Sequence, residues 1–169
     1  TRITDYSELN CDLFGDGCGL VVLGQTDQLS GILAQEFTSD VAGINWIYKD
    51  RHGFLRMPGG GEVYKMASRG MIDIAHRLIS KKHLDKSQID KYFPHQANGR
   101  ILDSIQKRID PENTGKIYRN IKRYGNMSAA TVPVALAEAW EKGEIKKNDI
   151  VVLTDVGSGL VFGGALIKL

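Results

Sequence analysis

Residues 92–98 read Tyr-Phe-Pro-His-Gln-Ala-Asn and residues 124–130 read Tyr-Gly-Asn-Met-Ser-Ala-Ala, and these two stretches decide the fold. Each places one polar side chain, His95 or Asn126, at a turn between an apolar strand-like run and a helix-like run. We therefore predict that both side chains stand at helix starts, where they can hydrogen-bond one carbonyl oxygen. Stabilising such an oxygen as it gains negative charge is often the largest single contribution to carbonyl chemistry.

Outward from these stretches, the sequence predicts alternating strands and helices. Apolar residues three and four positions apart predict a helix from residue 61 to residue 80, and further helices are predicted over about 96–108 and 128–142. Strands are predicted at 31–37, 150–154, 160–169 and, as two strands joined by a tight glycine-rich bend, over 11–24. The sum is one α/β domain over residues 1–169, in which helices form layers with a mixed sheet. The irregular stretch 39–57 is the best candidate for a substrate-facing loop.

Composition and charge exclude several classes of protein. The chain has 169 residues, 42% of them hydrophobic and 25% charged, and its net charge of +2 argues against a dedicated nucleic-acid-binding protein. No apolar run approaches the roughly 20 residues that span a bilayer. No spacing of His, Cys, Asp or Glu suggests a zinc site. Cys11 and Cys18 are interpreted as small packing residues with reduced thiols, which suits a cytoplasmic protein.

Four motifs occur in order along the chain, and together they resemble a known family. They are Phe-Gly-Asp-Gly-Cys-Gly at 14–19, Pro-His-Gln-Ala-Asn at 94–98, the stretch 124–130 already quoted, and Gly-Ser-Gly at 157–159. The set resembles the C-terminal half of a β-ketoacyl-acyl-carrier-protein synthase III, in the thiolase-like superfamily, over essentially the whole chain. The resemblance implies one layered half of that fold, with a mixed five-stranded sheet and helices. The chain lacks a starting Met, and we expect it to be cut from a longer protein.

The resemblance also implies an activity. The family performs a decarboxylative Claisen condensation of acyl-CoA with malonyl-acyl-carrier protein, an acyltransferase step of fatty-acid biosynthesis. Its nucleophilic cysteine lies in the N-terminal half, so we expect this chain alone to be inactive. The implied substrates are a CoA thioester and a phosphopantetheine-bearing carrier protein, with no covalently bound cofactor. The implied partners are acyl-carrier protein, the N-terminal half and a second copy of the full-length enzyme in a homodimer, with no nucleic acid, membrane or metal.

By position, the resemblance assigns roles to individual residues. His95 and Asn126 match the side chains that steady the oxygen of the thioester enolate. The backbone N–H of Ser158 matches a contributor to the oxyanion hole that faces the acyl-cysteine. The remaining matches concern binding of CoA and the carrier protein. They are Asn98 at the pantetheine arm, Tyr64 and Lys65 near the CoA, and Arg100 in a basic carrier-protein patch.

Two other functions stay open at this point. The chain could be a non-catalytic subunit of a two-chain enzyme that binds CoA or a carrier protein. The same fold could also transfer an acyl group to an oxygen or nitrogen nucleophile, with His95 as general base. Val156, where the family commonly has phenylalanine, and the irregular stretch 39–57 leave the acyl group and the acceptor open.

Overall fold

The structure, a computed structural model, describes residues 11–26 and 28–169. Among these residues, helices and strands follow one another in the mixed order that the sequence predicts. The helices are α1 (Gly60–Lys81), α2 (Gly99–Ile109), α3 (Ile121–Tyr124) and α4 (Thr131–Glu141). The strands are β1 (Gly31–Ser39), β2 (Tyr48–Lys49), β3 (Leu55–Arg56), β4 (Lys91–Pro94), β5 (Ile150–Gly157) and β6 (Val161–Lys168).

Four of these strands form the main sheet, in the spatial order β1, β6, β5, β4. β6 is antiparallel to both of its neighbours, whereas β4 runs parallel to β5. β2 and β3 form a separate antiparallel pair within the stretch 39–57. The sheet is therefore mixed, and the predicted α/β class is confirmed.

The number of strands in the main sheet differs from the five expected. In the described residues, the position beside β4 holds only a single parallel bridge between Ile117 and Tyr92. Tyr118 adds one backbone hydrogen bond to the carbonyl oxygen of Tyr92, at 2.9 Å. Asn120 then becomes the N-cap of α3, so the chain turns away from the sheet before a longer ladder can form.

Helices cover both faces of the main sheet. α1 packs on β1, β5 and β6 and contacts α2, whereas α4 packs on β4 and β5. Val152 belongs to the apolar core under α1, and its neighbour Val151 belongs to the core under α4. Both side chains are fully buried, as expected for a strand with helices on its two faces. The domain is thus a three-layer sandwich.

α1 follows the predicted periodicity. Its buried apolar residues lie on the face towards the sheet: Ala67, Met71, Ile72, Ile74, Ala75, Leu78 and Ile79. Full burial of each large side chain contributes roughly 1.5–3 kcal/mol. A Cβ atom on Gly70 would overlap the ring of Phe162, so glycine lets α1 approach β6 closely. None of the helices in the described ranges, α1 included, is long and apolar enough to cross a membrane.

The expectation of two strands over 11–24 is wrong. Cys11–Leu13 forms a 3₁₀ turn, Phe14 makes one parallel bridge to Asn126, and residues 15–26 have no regular secondary structure. A strand requires a neighbouring chain for its hydrogen bonds, and the described residues provide none along this segment. Its apolar residues 20–23 are between 58% and 86% exposed. Cys18 is also exposed, contrary to the packing role expected for it, and the side chain of Cys11 lies outside the described residues.

Glu138, a buried residue of α4, ties this helix to the start of α3. Its carboxylate accepts a hydrogen bond from Asn120 Nδ2 at 2.9 Å and pairs with Lys142 at 2.8 Å and Arg123 at 3.2 Å. Burial raises the pKa of Glu138, but hydrogen bonds, led by that from Lys142, outweigh it and hold the pKa below its ordinary value of 4.5. These contacts fix α4 relative to α3, and hence to the loop that follows α3.

Candidate active site

An open cavity of about 480 Å³ lies where β4 and β5 end. His95 and Asn126 both line it, so the structure brings together the two residues singled out in the sequence. Most of its other walls are apolar and include Leu13, Phe14, Ile47, Leu55, Met57, Val63, Ile101 and Val156. Three of these belong to the stretch 39–57 that was predicted to face a substrate.

His95 was expected at the start of a helix. In the structure it instead follows the last residue of β4. Its backbone N–H donates to the carbonyl oxygen of Thr154 at 2.8 Å, which continues the parallel ladder between β4 and β5 by one residue. α2 begins only at Gly99, because Asn98 has extended backbone angles and acts as its N-cap. The buried side chain of Gln96 holds the intervening turn through hydrogen bonds with the Pro94 carbonyl oxygen and the Asn120 N–H. His95 is thereby fixed at the carboxyl edge of the sheet, with 6% of its surface exposed.

The Nδ1 atom of His95 has two oxygen neighbours. Thr131 Oγ1 lies 2.6 Å away and Asp155 Oδ1 lies 3.2 Å away. The Thr131 hydroxyl donates its proton to the carbonyl oxygen of Ser128, at 2.9 Å, so it faces Nδ1 with a lone pair. Both contacts therefore favour a proton on Nδ1. The other ring nitrogen, Nε2, is left for a molecule in the cavity.

Burial and the neighbouring carboxylate of Asp155 shift the pKa of His95 in opposite directions. Burial lowers the pKa of His95, and Asp155 offsets only part of that effect. Burial raises the pKa of Asp155, against the opposing effects of His95 and of a hydrogen bond from the Val156 N–H. Sequence reasoning missed both Asp155 and Thr131. The available signal for Asp155 was its place directly after the buried run Val-Val-Leu-Thr at 151–154, since parallel strands present their carboxyl ends at one edge.

Asn126 is oriented by the backbone around it. Its Oδ1 accepts a hydrogen bond from the Ser128 N–H at 2.8 Å, which leaves the Nδ2 amide hydrogens as the donors available to the cavity. Ser128 has φ of 54° and Gly125 has φ of 69°, so both lie in the left-handed region. A 3₁₀ turn over Ser128–Ala130 follows and leads into α4 at Thr131, three residues later than the helix start predicted from the sequence.

The glycine-rich segment near the N-terminus clamps this loop. Asn126 N–H donates to the Leu13 carbonyl oxygen at 2.9 Å, and Gly15 N–H donates to the Asn126 carbonyl oxygen at 3.0 Å. A Cβ atom on Gly15 would overlap the carbonyl oxygen of Tyr124. The motif predicted as a bend between two core strands is instead a segment without regular secondary structure that supports the Asn126 loop.

Three of the other residues predicted for the site also line the cavity. Ser158 donates its hydroxyl to the Ile47 carbonyl oxygen at 2.6 Å, and this contact fixes the turn after β5 against the stretch 39–57. Asn98 Oδ1 accepts the Ile101 N–H at 2.9 Å as the cap of α2. Tyr64 donates its hydroxyl to the backbone carbonyl oxygen of Arg100 at 3.3 Å. Each side chain therefore has a structural hydrogen bond besides its place in the cavity wall.

The two predicted basic residues lie outside the cavity wall. Lys65 is exposed on α1 and pairs with Glu62 at 3.0 Å. Arg100 is exposed in the first turn of α2, next to the mouth of the cavity that Asn98 and Ile101 line. In the described part of the chain, no three His, Cys, Asp or Glu side chains gather closely enough to hold a metal ion.

His95 and Asn126 present polar groups to the same cavity. A buried imidazole and a primary amide, each with one side fixed by the protein, present polar atoms to the same mostly apolar cavity. Donors fixed in advance in such a site stabilise an oxygen that becomes negative. The Asn126 amide is such a donor, and His95 becomes one only when Nε2 also carries a proton. The described cavity wall contains no cysteine. The described residues of the site thus offer an imidazole and an amide to the cavity, and not a thiol.

Comparison with known proteins gives the same family. Residues 79–169 match the family model described as 3-oxoacyl-[acyl-carrier-protein (ACP)] synthase III C terminal. The β-ketoacyl-[acyl-carrier-protein] synthase III of Staphylococcus epidermidis is 39% identical over 170 residues, which cover 99% of this chain and 54% of that protein. The chain spans about half the length of the curated relatives it matches.

Solved structures agree with this result. The 3-oxoacyl-[acyl-carrier-protein] synthase III of Aquifex aeolicus superposes with a TM-score of 0.93 at 33% identity, over 99% of this chain and 54% of that one. The synthase III of Thermus thermophilus gives a TM-score of 0.81 at 30% identity, over 87% and 49% of the two chains. Because the family model matches more than half of this chain, the chain belongs to the family of 3-oxoacyl-[acyl-carrier-protein] synthase III C-terminal domains.

Proposed function

We propose that the chain is the C-terminal catalytic half of a 3-oxoacyl-[acyl-carrier-protein] synthase III. The full enzyme would condense an acyl-CoA with malonyl-acyl-carrier protein, with loss of carbon dioxide, in fatty-acid biosynthesis. The observation that carries the proposal is that His95 and Asn126 line one cavity, each with one polar atom already fixed by the protein. Family membership supports the same reaction.

The proposed chemistry divides the work between two halves. A cysteine of the N-terminal half takes the acyl group from CoA and releases CoA thiol. Malonyl thioester then loses carbon dioxide, and the electron pair of the broken carbon–carbon bond forms a thioester enolate. His95 and Asn126 hold the enolate oxygen. The enolate carbon attacks the acyl carbonyl, whose oxygen meets the Ser158 N–H, and the cysteine thiolate leaves.

The exposed apolar surface of this chain supports a second half. Leu20 and Val22 are more than 80% exposed, and Phe37 is 72% exposed although it also lines the cavity. Large exposed apolar side chains can mark an interface or an aggregation liability. We propose that the N-terminal half covers these side chains and brings the cysteine to the cavity.

Substrate delivery uses the α2 side of the cavity in this proposal. Asn98 and Tyr64 would contact the pantetheine arm of CoA or of the carrier protein. Lys65 and Arg100, which are exposed near the cavity, would meet the acidic groups of those partners. The full-length enzyme is proposed to be a cytoplasmic homodimer without a covalently bound cofactor.

The proposal is tested in the full-length enzyme with His95→Ala and Asn126→Ala. Acylation of the cysteine by radiolabelled acyl-CoA should persist in both variants, whereas carbon dioxide release and formation of the 3-oxoacyl product should fall by a factor of about 100 or more. His76→Ala, an exposed histidine of α1, is the matched control and should behave like wild type.

Two outcomes would replace the proposal. Binding of CoA with no turnover in the wild-type enzyme would indicate a non-catalytic binding subunit. Acyl transfer to an added alcohol or amine without release of carbon dioxide would indicate an acyltransferase with His95 as general base.

A further inference from the structure

The contacts of His95 raise a question about its protonation state. Thr131 Oγ1, at 2.6 Å, and Asp155 Oδ1, at 3.2 Å, both approach Nδ1 as acceptors. They place the proton of the neutral imidazole on Nδ1 and leave Nε2 with a lone pair. A neutral His95 held in this way cannot donate a hydrogen bond from Nε2 to an enolate oxygen. Donation requires a second proton, and hence the imidazolium form.

Asp155 is placed to make that form accessible. Its carboxylate lies on β5, in the parallel strand next to the one that carries His95, and its backbone is fixed by the ladder between β5 and β6. Asp155 Oδ1 also accepts the N–H of Val156 at 2.7 Å, which holds the carboxylate towards the imidazole. An opposite charge at this distance favours the charged form of a buried histidine.

The rest of the described cavity wall carries no competing charge. Tyr64 on α1 is the other titratable side chain in the described cavity wall, which contains no Lys, Arg or Glu. The elements packed around His95 contribute the Thr131 hydroxyl from α4 and the Ser128 carbonyl oxygen from the turn before it. Asp155 is therefore the negative group of this wall that can balance an imidazolium.

We infer that Asp155 is a positioning residue that lets His95 hold a proton on both ring nitrogens, so that Nε2–H donates to the enolate oxygen. The inference deepens the proposed function and rests on it for the identity of that oxygen. The second proton comes from solvent and remains on His95 while the carbon–carbon bond forms. Sequence motifs around His95 and Asn126 do not contain Asp155 or Thr131.

The sign of the pH dependence follows from this state. Condensation requires the doubly protonated His95, so its rate falls as pH rises through the pKa of His95. Asp155→Asn removes the charge that opposes the effect of burial, so the pKa of His95 should fall further. The alkaline limb of the condensation profile should then move to lower pH, with a loss of roughly tenfold or more at neutral pH and recovery towards acid pH.

The first experiment follows the histidine directly. The 169-residue chain is labelled with ¹⁵N-histidine and titrated by NMR as wild type, Asp155→Asn and the exposed-carboxylate control Asp73→Asn. The exposed His52, His76 and His83 serve as internal references. We expect the buried resonance to show a protonated Nδ1 at high pH and to titrate at lower pH in Asp155→Asn only. A buried histidine protonated on Nε2 at high pH, or one whose titration Asp155→Asn leaves unchanged, would overturn the inference.

The second experiment follows the reaction in the full-length enzyme. The acyl-enzyme is formed first and freed of CoA, and its condensation with malonyl-acyl-carrier protein is measured from acid to alkaline pH. This order removes the titration of the free cysteine from the profile. A purely structural role for Asp155 predicts an equal loss at every pH, and that result would overturn the inference even if wild-type condensation is normal. An inactive wild-type enzyme whose buried histidine still responds to Asp155→Asn would instead reject the proposed function.

Discussion

Replacing Gln96 with leucine should destabilise the domain by about 3 kcal/mol. The side chain is fully buried directly after His95. Its Nε2 donates to the carbonyl oxygens of Pro94 at 2.9 Å and Tyr118 at 3.2 Å, and its Oε1 accepts the Asn120 N–H at 3.2 Å. Each such bond contributes about 0.5–1.5 kcal/mol, and leucine of similar size would leave three buried backbone groups without this partner.

The stability of Gln96→Leu is measured by urea unfolding of the 169-residue chain, followed by circular dichroism and extrapolated linearly to water. Gln35→Leu is the matched control, because Gln35 is exposed on β1. A surface substitution of this kind changes stability by less than about 0.5 kcal/mol. In the full-length enzyme, Gln96→Leu should also slow condensation by roughly 10- to 100-fold, because a small displacement of a catalytic group is costly.

The expected loss of stability comes from the hydrogen bonds of Gln96 and not from its volume. A free energy of unfolding for Gln96→Leu within about 1 kcal/mol of wild type would refute this prediction, since the buried carbonyl and N–H groups would then have found other partners. A loss of stability equal to that of Gln35→Leu would lead to the same conclusion. Loss of stability with unchanged condensation would show that the turn does not set the position of His95.

Three further changes have defined outcomes. Asn98→Ala should lower the free energy of unfolding by about 1 kcal/mol by uncapping α2, whereas Asn98→Asp should retain the cap and most of the stability, as thermal unfolding can measure. Gly15→Ala should cost about 1–3 kcal/mol, because its Cβ meets the Tyr124 carbonyl oxygen, and in the full-length enzyme it should slow condensation more than acylation, since the Asn126 loop moves. The lowered pKa of Glu138 stabilises the fold above its unfolded-state pKa, and this contribution is lost as pH falls through the folded-state pKa. Glu138→Gln should therefore reduce stability at neutral pH and make it less sensitive to acid in urea unfolding at several pH values.

The sequence was sufficient to locate the main elements around the site. Apolar periodicity found α1, a run of β-branched residues found β5, and the apolar stretch after the Gly-Ser-Gly turn found β6, because these patterns reflect burial on one or two faces of a local element. The sequence also singled out His95 and Asn126 as polar groups between apolar runs, and both line the cavity. The starts of α2 and α4 were placed about three residues too early, since caps and 3₁₀ turns depend on backbone angles that composition does not specify.

The segment from residue 11 to residue 24 shows a different limit. Its run Leu-Val-Val-Leu at 20–23 has the composition of a buried strand, yet the described structure leaves it exposed and unpaired. Strand propensity reports how well side chains fit a half-buried pleated surface, and that surface must be supplied by another segment. Gly15 was likewise assigned to a bend, whereas its small size serves contact with the distant residue Tyr124.

Asp155 was missed because its role depends on the register between β4 and β5. Pro94 lies opposite Thr154 in the parallel ladder, so the residues that follow each of them, His95 and Asp155, emerge side by side. A shift of one residue in this register would move the carboxylate to the other face of the sheet and separate the pair. Nothing within either strand specifies that register; it is set by packing of both strands between α1 and α4. The same packing that buries the imidazole therefore also delivers the charge that can balance its second proton.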